Sequence, residues 1–198
     1  MKLAHAIALV LVLCALPVAA RADGVMTVPQ VEHDPWGPTS TGSFIVTVDV
    51  TAALMLDSYT VALDVVSRSG VDPCGLWLTD YAEAPLDYLI DDNMGFGVGA
   101  KLLPDRVFVD DAVAGAAEEK TPGAYGTVEV FYEIDPDRVQ VCNYYDLVLD
   151  DEWCTLLDEN LDDVPLQLVN GYTHIAVPEP ATLSLLALAG LAGLKRRP

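Results

Sequence analysis

The stretch VPLQLVNGYTHIAV (Val164–Val177) carries the clearest local signal in the chain. Two apolar runs flank Asn170-Gly171, a pair that tolerates the positive φ of a two-residue type I′ hairpin turn. Pairing Val169 with Tyr172 places Val164, Leu166, Leu168, Thr173, Ile175 and Val177 on one face. A slip of one residue would break that face, so turn chemistry and alternation predict the same hairpin. His174 then points away from the core.

The same period of two runs upstream. In SFIVTVDV, Phe44, Val46, Val48 and Val50 alternate with Ser43, Thr47 and Asp49. In SYTVALDV the inward set is Tyr59, Val61, Leu63 and Val65, and in YGTVEVFYEI it is Val128, Val130, Tyr132 and Ile134. Each reads as a strand with one buried side. RVFV at 106–109 reads as a short strand, and Trp77–Ile90 as a short strand or irregular loop. DNMGFGVGAK is glycine-dense loop, and AVAGAAEEK a helical turn or a loop. Asp23–Gly42, rich in Pro, Thr, Ser and Gly, reads as a lead-in. Short strands punctuated by turns predict an all-β, antiparallel sandwich.

The ends are not part of that fold. Lys2, an apolar run from Ala6 to Leu16, and the small residues Ala20 and Ala22 before Asp23 form a secretory leader with its cleavage site (1–22). At the other end, Ala181–Leu194 is apolar or small, and Lys195, Arg196 and Arg197 follow at once. As a helix at ~1.5 Å per residue it spans about 21 Å, short of a ~30 Å hydrocarbon core. The basic cluster stays on the cytoplasmic side. Between these ends, 23–176 is one domain with 177–198 as its tail.

The chain holds 10 Lys+Arg and 30 Asp+Glu. Lys2 and Arg21 fall in the leader, and the three basic residues and Glu179 in the tail. The domain is left with five basic and 29 acidic residues, a formal charge of −24. Such a surface repels nucleic acid and anionic lipid. It attracts divalent cations or serves solubility.

Candidate chemistry is sparse. Asp158, Asn160 and Asp162 alternate as at the start of a calcium loop, which makes calcium the candidate cofactor. The sixth position, however, is Asp163 rather than Gly, and the twelfth is Val169 rather than an acid. Trp77, Tyr81 and Tyr88, with Asp80, Glu83 and Asp87, suit either a core or a sugar-stacking face, and Trp153 beside Tyr144 and Tyr145 reads in the same way. Cys74, Cys142 and Cys154 remain after leader removal, and Cys142 with Cys154 would close a short disulfide loop. The two domain histidines, His33 and His174, have no nucleophile motif near them, so the reading is not an enzyme.

Two resemblances sharpen this reading. Val177, Pro178, Glu179 and Pro180, then the apolar run and basic cluster, resemble the PEP-CTERM sorting signal. The resemblance implies handling by an exosortase, a membrane-embedded enzyme, after passage through the export machinery. It also implies a transient hold in the inner membrane through the tail helix, then the cell surface or matrix. GSFIVTVDV, LDSYTVALDV, PGAYGTVEVFYEI and NGYTHIAV, in that order, resemble cohesin-like domains, which are jelly-roll-like β-sandwiches. That resemblance implies interaction rather than catalysis. The expected function is a non-catalytic surface or matrix protein, with extracellular polysaccharide or surface proteins as partners. The alternative is a carbohydrate- or calcium-binding adhesive module.

Overall fold

Inward positions filled by Val, Leu, Ile and Tyr at period two build long strands whose apolar faces must meet. A computed structural model describes residues 23–33, 41–69, 75–85, 87–91, 101–135 and 144–175. The leader, the tail, Cys74, Cys142, Val177 and the glycine-dense stretch at 92–100 lie outside the described residues. The described residues form two sheets packed face to face. One has five strands in the order β12 (Leu166–Val169), β1 (Gly24–Thr27), β3 (Thr41–Val50), β9 (Gly123–Ile134), β5 (Leu76–Glu83). The path of the eight-stranded sheet runs β2 (Gln30–His33), β13 (Gly171–Ile175), β10 (Tyr144–Leu149), β4 (Leu54–Ser67), β7 (Arg106–Ala112), β6 (Lys101–Leu103). Strands β8 (Glu118–Lys120) and β11 (Thr155–Asp158) also pair with β4, the 14-residue spine of this sheet.

Val46, Val48, Val50, Val61, Leu63, Val128, Val130 and Leu147 have no exposed surface, and Tyr132 is 1% exposed. The alternation read from the sequence for β3, β4 and β9 is therefore the alternation of the core. The resulting architecture is the expected all-β sandwich.

The expected hairpin does not form. Strands β12 and β13 lie in different sheets. Asn170 and Gly171 are absent from the described positive-φ residues, which are Gly75, Asp87, Gly123 and Leu161. The partner of this segment is the stretch read as a lead-in. β1 runs parallel to β12, Gly24 opposite Leu166, and β2 runs parallel to β13, His33 opposite Ile175. The spacing between partners is the same in both pairs. The two chain segments thus form one parallel ribbon that starts in the five-stranded sheet and finishes in the other.

Three groups let the ribbon cross. Pro29 has no N–H, so the ladder can break there. Gly171 has no Cβ, and one built there would overlap the carbonyl oxygen of Pro29 and lie 2.6 Å from that of Val28. The Asn170 side chain accepts a hydrogen bond from Leu149 N at 2.9 Å and so caps β10. Met26 and Val28, at 0% and 2% exposure, anchor the first segment in the core. The inward parity switches at the crossing: Leu166 and Leu168 pack on the core before it, Thr173 and Ile175 after it.

Two other segments resolve the alternatives read for them. AVAGAAEEK ends in β8 and forms no helical turn. After β5 the chain folds back on the core, where Leu89 and Ile90 have no exposed surface.

Candidate functional site

The outward face of the eight-stranded sheet is chemically unlike the rest of the described surface. It is assembled by register: Val66 stands opposite Asp146, Ala62 opposite Phe108, and Lys101 and Leu103 opposite Phe108 and Arg106. Of the five large hydrophobic side chains exposed among the described residues, Val66, Leu103 and Trp153 are on this face. Of the four described Lys and Arg residues, Arg68, Lys101 and Arg106 are here, while Lys120 is buried.

Trp153 reaches this face because the chain leaves the sheet between β10 and β11. Asp150 O accepts from Trp153 N at 3.3 Å and Cys154 N at 2.9 Å, and Asp150 Oδ1 accepts from Glu152 N at 3.0 Å. The turn sends the Trp153 ring outward, 55% exposed and edge-on to Phe108 at 6.0 Å between centroids. Lys101, Leu103, Arg106, Phe108 and Trp153 line a groove of about 440 Å³. Trp153 is therefore a surface ring, the outward of the two alternatives read for it. Arg106 is held by Asp150 at 2.5 Å and Asp64 at 3.4 Å, which fixes the groove wall.

The next residue faces inward. The Cys154 thiol donates to Ala62 O at 3.3 Å and accepts from Ala62 N at 3.4 Å, so it supplies the partner for Ala62 N where the strand pairing breaks. Cys154 is a free, buried thiol, and Cys142, the partner expected for it, lies outside the described residues. Burial pushes its pKa up to about 11, so it is not a thiolate near neutral pH.

At the other end of the face, Tyr144 and His174 stack at 4.1 Å between centroids, with Arg68 5.1 Å from the Tyr144 ring. Arg68 Nε and Nη2 both donate to Asp146 Oδ1, and His174 Nδ1 lies 2.6 Å from Glu32 Oε2. His174 points outward as read. The other histidine, His33, is 3.2 Å from the Tyr132 hydroxyl.

The aromatics read as either core or a sugar-stacking face are divided between the two. Trp77 pairs with Glu133, whose side chain is exposed, whereas Tyr81 pairs with buried Val130. A bulge between Leu78 and Asp80 reverses the parity in between. Tyr88 also turns inward. Its hydroxyl donates to Asp111 Oδ2 at 2.7 Å and lies 2.7 Å from that of Tyr59. Tyr59 in turn donates to the carbonyl of Thr127, the extra residue of a bulge in β9.

Asp158 uses its carboxylate within its own turn. Oδ1 accepts from Asn160 N at 2.8 Å and from Asp162 N at 3.0 Å, and these bonds hold its pKa below the usual carboxylate range. Leu161, with φ of 63°, completes the turn. Among the described residues no three His, Cys, Asp or Glu side chains are gathered as a metal site.

Asp111 is 3% exposed and among the described residues no Lys or Arg bonds to it; desolvation raises its pKa, with Glu83 and Asp110 adding to the effect. The ionised form is therefore penalised in the fold. Stability from this group is present at pH below the unfolded value and lost as pH rises through the folded one. Asp111→Asn is expected to stabilise at pH 7 by on the order of 1 kcal/mol, with the gain vanishing near pH 3. An amide there can donate to Tyr88, Tyr88 to Tyr59 and Tyr59 to Thr127 O, keeping the chain intact. Urea unfolding at the two pH values checks this.

Comparison with known proteins agrees with both parts of the molecule. The family described as the PEP-CTERM protein-sorting motif matches residues 176–197. The sandwich is similar to a non-cellulosomal cohesin from the hyperthermophilic archaeon Archaeoglobus fulgidus, with 16% identity and a TM-score of 0.55, over 82% of this chain and 98% of that one. It is similar to CaCohA2 from Clostridium acetobutylicum, with 15% identity and a TM-score of 0.57, over 80% and 94% of the two chains. A type I cohesin–dockerin complex from Clostridium thermocellum gives 13% identity and a TM-score of 0.57, over 79% and 97%. No curated protein matches the chain.

The fold is thus a cohesin-like β-sandwich. The chain that carries it ends in a PEP-CTERM sorting motif, which implies exosortase-dependent export.

Proposed function

We propose that this protein is a non-catalytic, exported binding module. It holds a partner protein on the outward face of the eight-stranded sheet while its tail directs it to the cell surface. The observation that carries this reading is the concentration of exposed Trp153, Leu103 and Val66, with every exposed described cation, on one face of a domain with formal charge −24. Exposed apolar side chains grouped beside arginine mark protein interfaces, and Trp and Arg are the residues that most often dominate binding energy. The cohesin–dockerin complex among the similar structures supports a protein partner over a small ligand. The leader is removed between Ala22 and Asp23.

Retention at the surface tests it. Trp153→Ala combined with Leu103→Ser removes the groove's apolar wall without touching the core. The expected result is passage of the processed protein from the cell-surface fraction into the medium, with an unchanged melting temperature. A truncated hot-spot residue costs about 2 kcal/mol, or roughly 30-fold in affinity. Equal retention of wild type and variant would reject the assignment of this face.

A further inference from the structure

The most exposed large hydrophobic side chain among the described residues stands apart from the groove. It is Leu161, 64% exposed, in the turn after β11. Its φ of 63° lies in the left-handed region, which hinders leucine sterically. The turn is nonetheless fixed. Besides the two bonds to Asp158 Oδ1, Leu161 N donates to Asp158 O at 3.0 Å and Asp158 N donates to Asp162 O at 3.1 Å. The chain therefore holds an apolar knob in water, flanked by exposed Glu159, Asp162 and Asp163.

The groove on the outward face of the eight-stranded sheet has the converse character. Its walls are apolar at Leu103, Phe108 and Trp153 and cationic at Lys101 and Arg106. Arg106 is already paired with Asp150 and Asp64. Lys101 is exposed and forms no ion pair among the described residues, so its charge is available to a carboxylate from outside. One chain cannot bring its own knob to its own groove. Trp153 packs on Phe108, which stands opposite Ala62, whereas β11 ends with Asp158 opposite Leu56. The span of β4 from Leu56 to Ala62 is about 20 Å at ~3.3 Å per residue.

We infer that Leu161 of one copy docks into the groove of a second copy, with Glu159 beside Lys101. This names the partner of the proposed binding face as the chain itself, and it rests on that reading of the face. The two patches differ, so the contact is heterologous and can repeat from copy to copy. Net charge does not forbid it. Two domains of formal charge −24 repel, but at physiological salt the Debye length is about 8 Å, so the charges at the contact decide. Every described cation but buried Lys120 stands on the groove's face, and there the acid-flanked knob meets attraction. A contact of one knob and one groove is small, and it acts where display at the cell surface crowds copies together.

Photo-crosslinking between two forms of the full chain in exporting cells tests it. The donor carries a benzophenone side chain in place of Asn160. The receiver carries none and is marked by an epitope tag between Gly115 and Ala116, where the surface is open. The expected product is a donor–receiver adduct with the mass of two chains. Leu161→Asn in the donor is expected to lower its yield at least about tenfold, since asparagine accepts the left-handed turn but supplies no apolar knob. Lys101→Glu in the receiver is expected to lower it as well, and Glu159→Lys in the donor to restore it, a rescue that misfolding does not produce. An adduct between copies that survives both Leu161→Asn and Lys101→Glu overturns the inference. So does the absence of that adduct while benzophenone at position 153 captures a different protein, which leaves the partner-binding reading intact. Absence of adducts from both positions overturns that reading and the inference with it.

Discussion

Gly171→Ala is expected to destabilise the domain by at least ~3 kcal/mol, the range of severe overpacking in a rigid site. The reason is steric and local. A Cβ at this position would overlap the Pro29 carbonyl oxygen and sit 2.6 Å from that of Val28. Both obstacles are backbone, and both belong to the link between β1 and β2 that Gly171 must pass for the ribbon to change sheets. They cannot retreat without parting β1 from β12 or β2 from β13. Gly24→Ala is the informative contrast, because its added Cβ meets only the side-chain tips of Leu156 and Leu166 at 3.2 Å. A cost under about 1 kcal/mol is expected there. Gly115→Ala, with nothing within 4 Å, should be neutral or slightly stabilising. Chemical unfolding of the three variants orders them. If Gly171→Ala were as mild as Gly24→Ala, the ribbon crossing would be wrong.

Lys120→Met is expected to cost about 3 kcal/mol, because it breaks one side of a buried ion pair. Lys120 is 5% exposed, and its ammonium lies 2.9 Å from Glu118 Oε2 and 3.1 Å from Asp91 Oδ2. The two carboxylates differ. Asp91 is 75% exposed and rehydrates when the lysine is lost, whereas Glu118 is only 17% exposed and rehydrates far less. Glu118 Oε2 also accepts from Asp91 N at 3.1 Å, so the pair fastens the end of the Leu89-Ile90 insertion to β8. The double variant Lys120→Met with Glu118→Leu removes both charges. It should recover most of the loss, since an apolar pair of similar volume is close to neutral in such sites. A thermal or urea cycle over the four proteins measures the coupling.

The parts of the fold legible in the sequence are those decided by strict alternation. Strands β3, β4 and β9 are long enough for inward Val, Leu and Tyr to repeat several times, and their cores were assigned residue by residue. The hairpin was not legible, and its failure is instructive. Asn170-Gly171 satisfies the chemistry of a turn, but the same two residues also satisfy a crossing. Glycine supplies missing bulk rather than positive φ, and asparagine supplies a cap for a neighbouring strand. Choosing between them requires knowing that Gly24–His33 offers a parallel edge, and that stretch is broken by Pro29 and too short in each half to show its period.

The proposed binding face was legible only in part. Trp153, beside Tyr144 and Tyr145, reads in the sequence as core or as a stacking face, and the neighbouring Tyr145 is buried. What turns the indole outward is the Asp150 hydrogen-bond turn, which reverses alternation for one residue. Arg68, Lys101 and Arg106 are far apart in sequence, and only the pairing of β4, β7 and β6 brings them to one face. The bulge at Leu78–Asp80 likewise separates Trp77 from Tyr81, which no pattern of spacing reveals.

Photo-crosslinking on living cells tests the central claim most directly. A benzophenone side chain replaces Trp153 in one full-length variant and Trp77, on the outward face of the other sheet, in a second. The account predicts a discrete protein adduct of one mass from position 153 and none from position 77. Adducts of equal yield at both positions, or an adduct at position 77 alone, would contradict it.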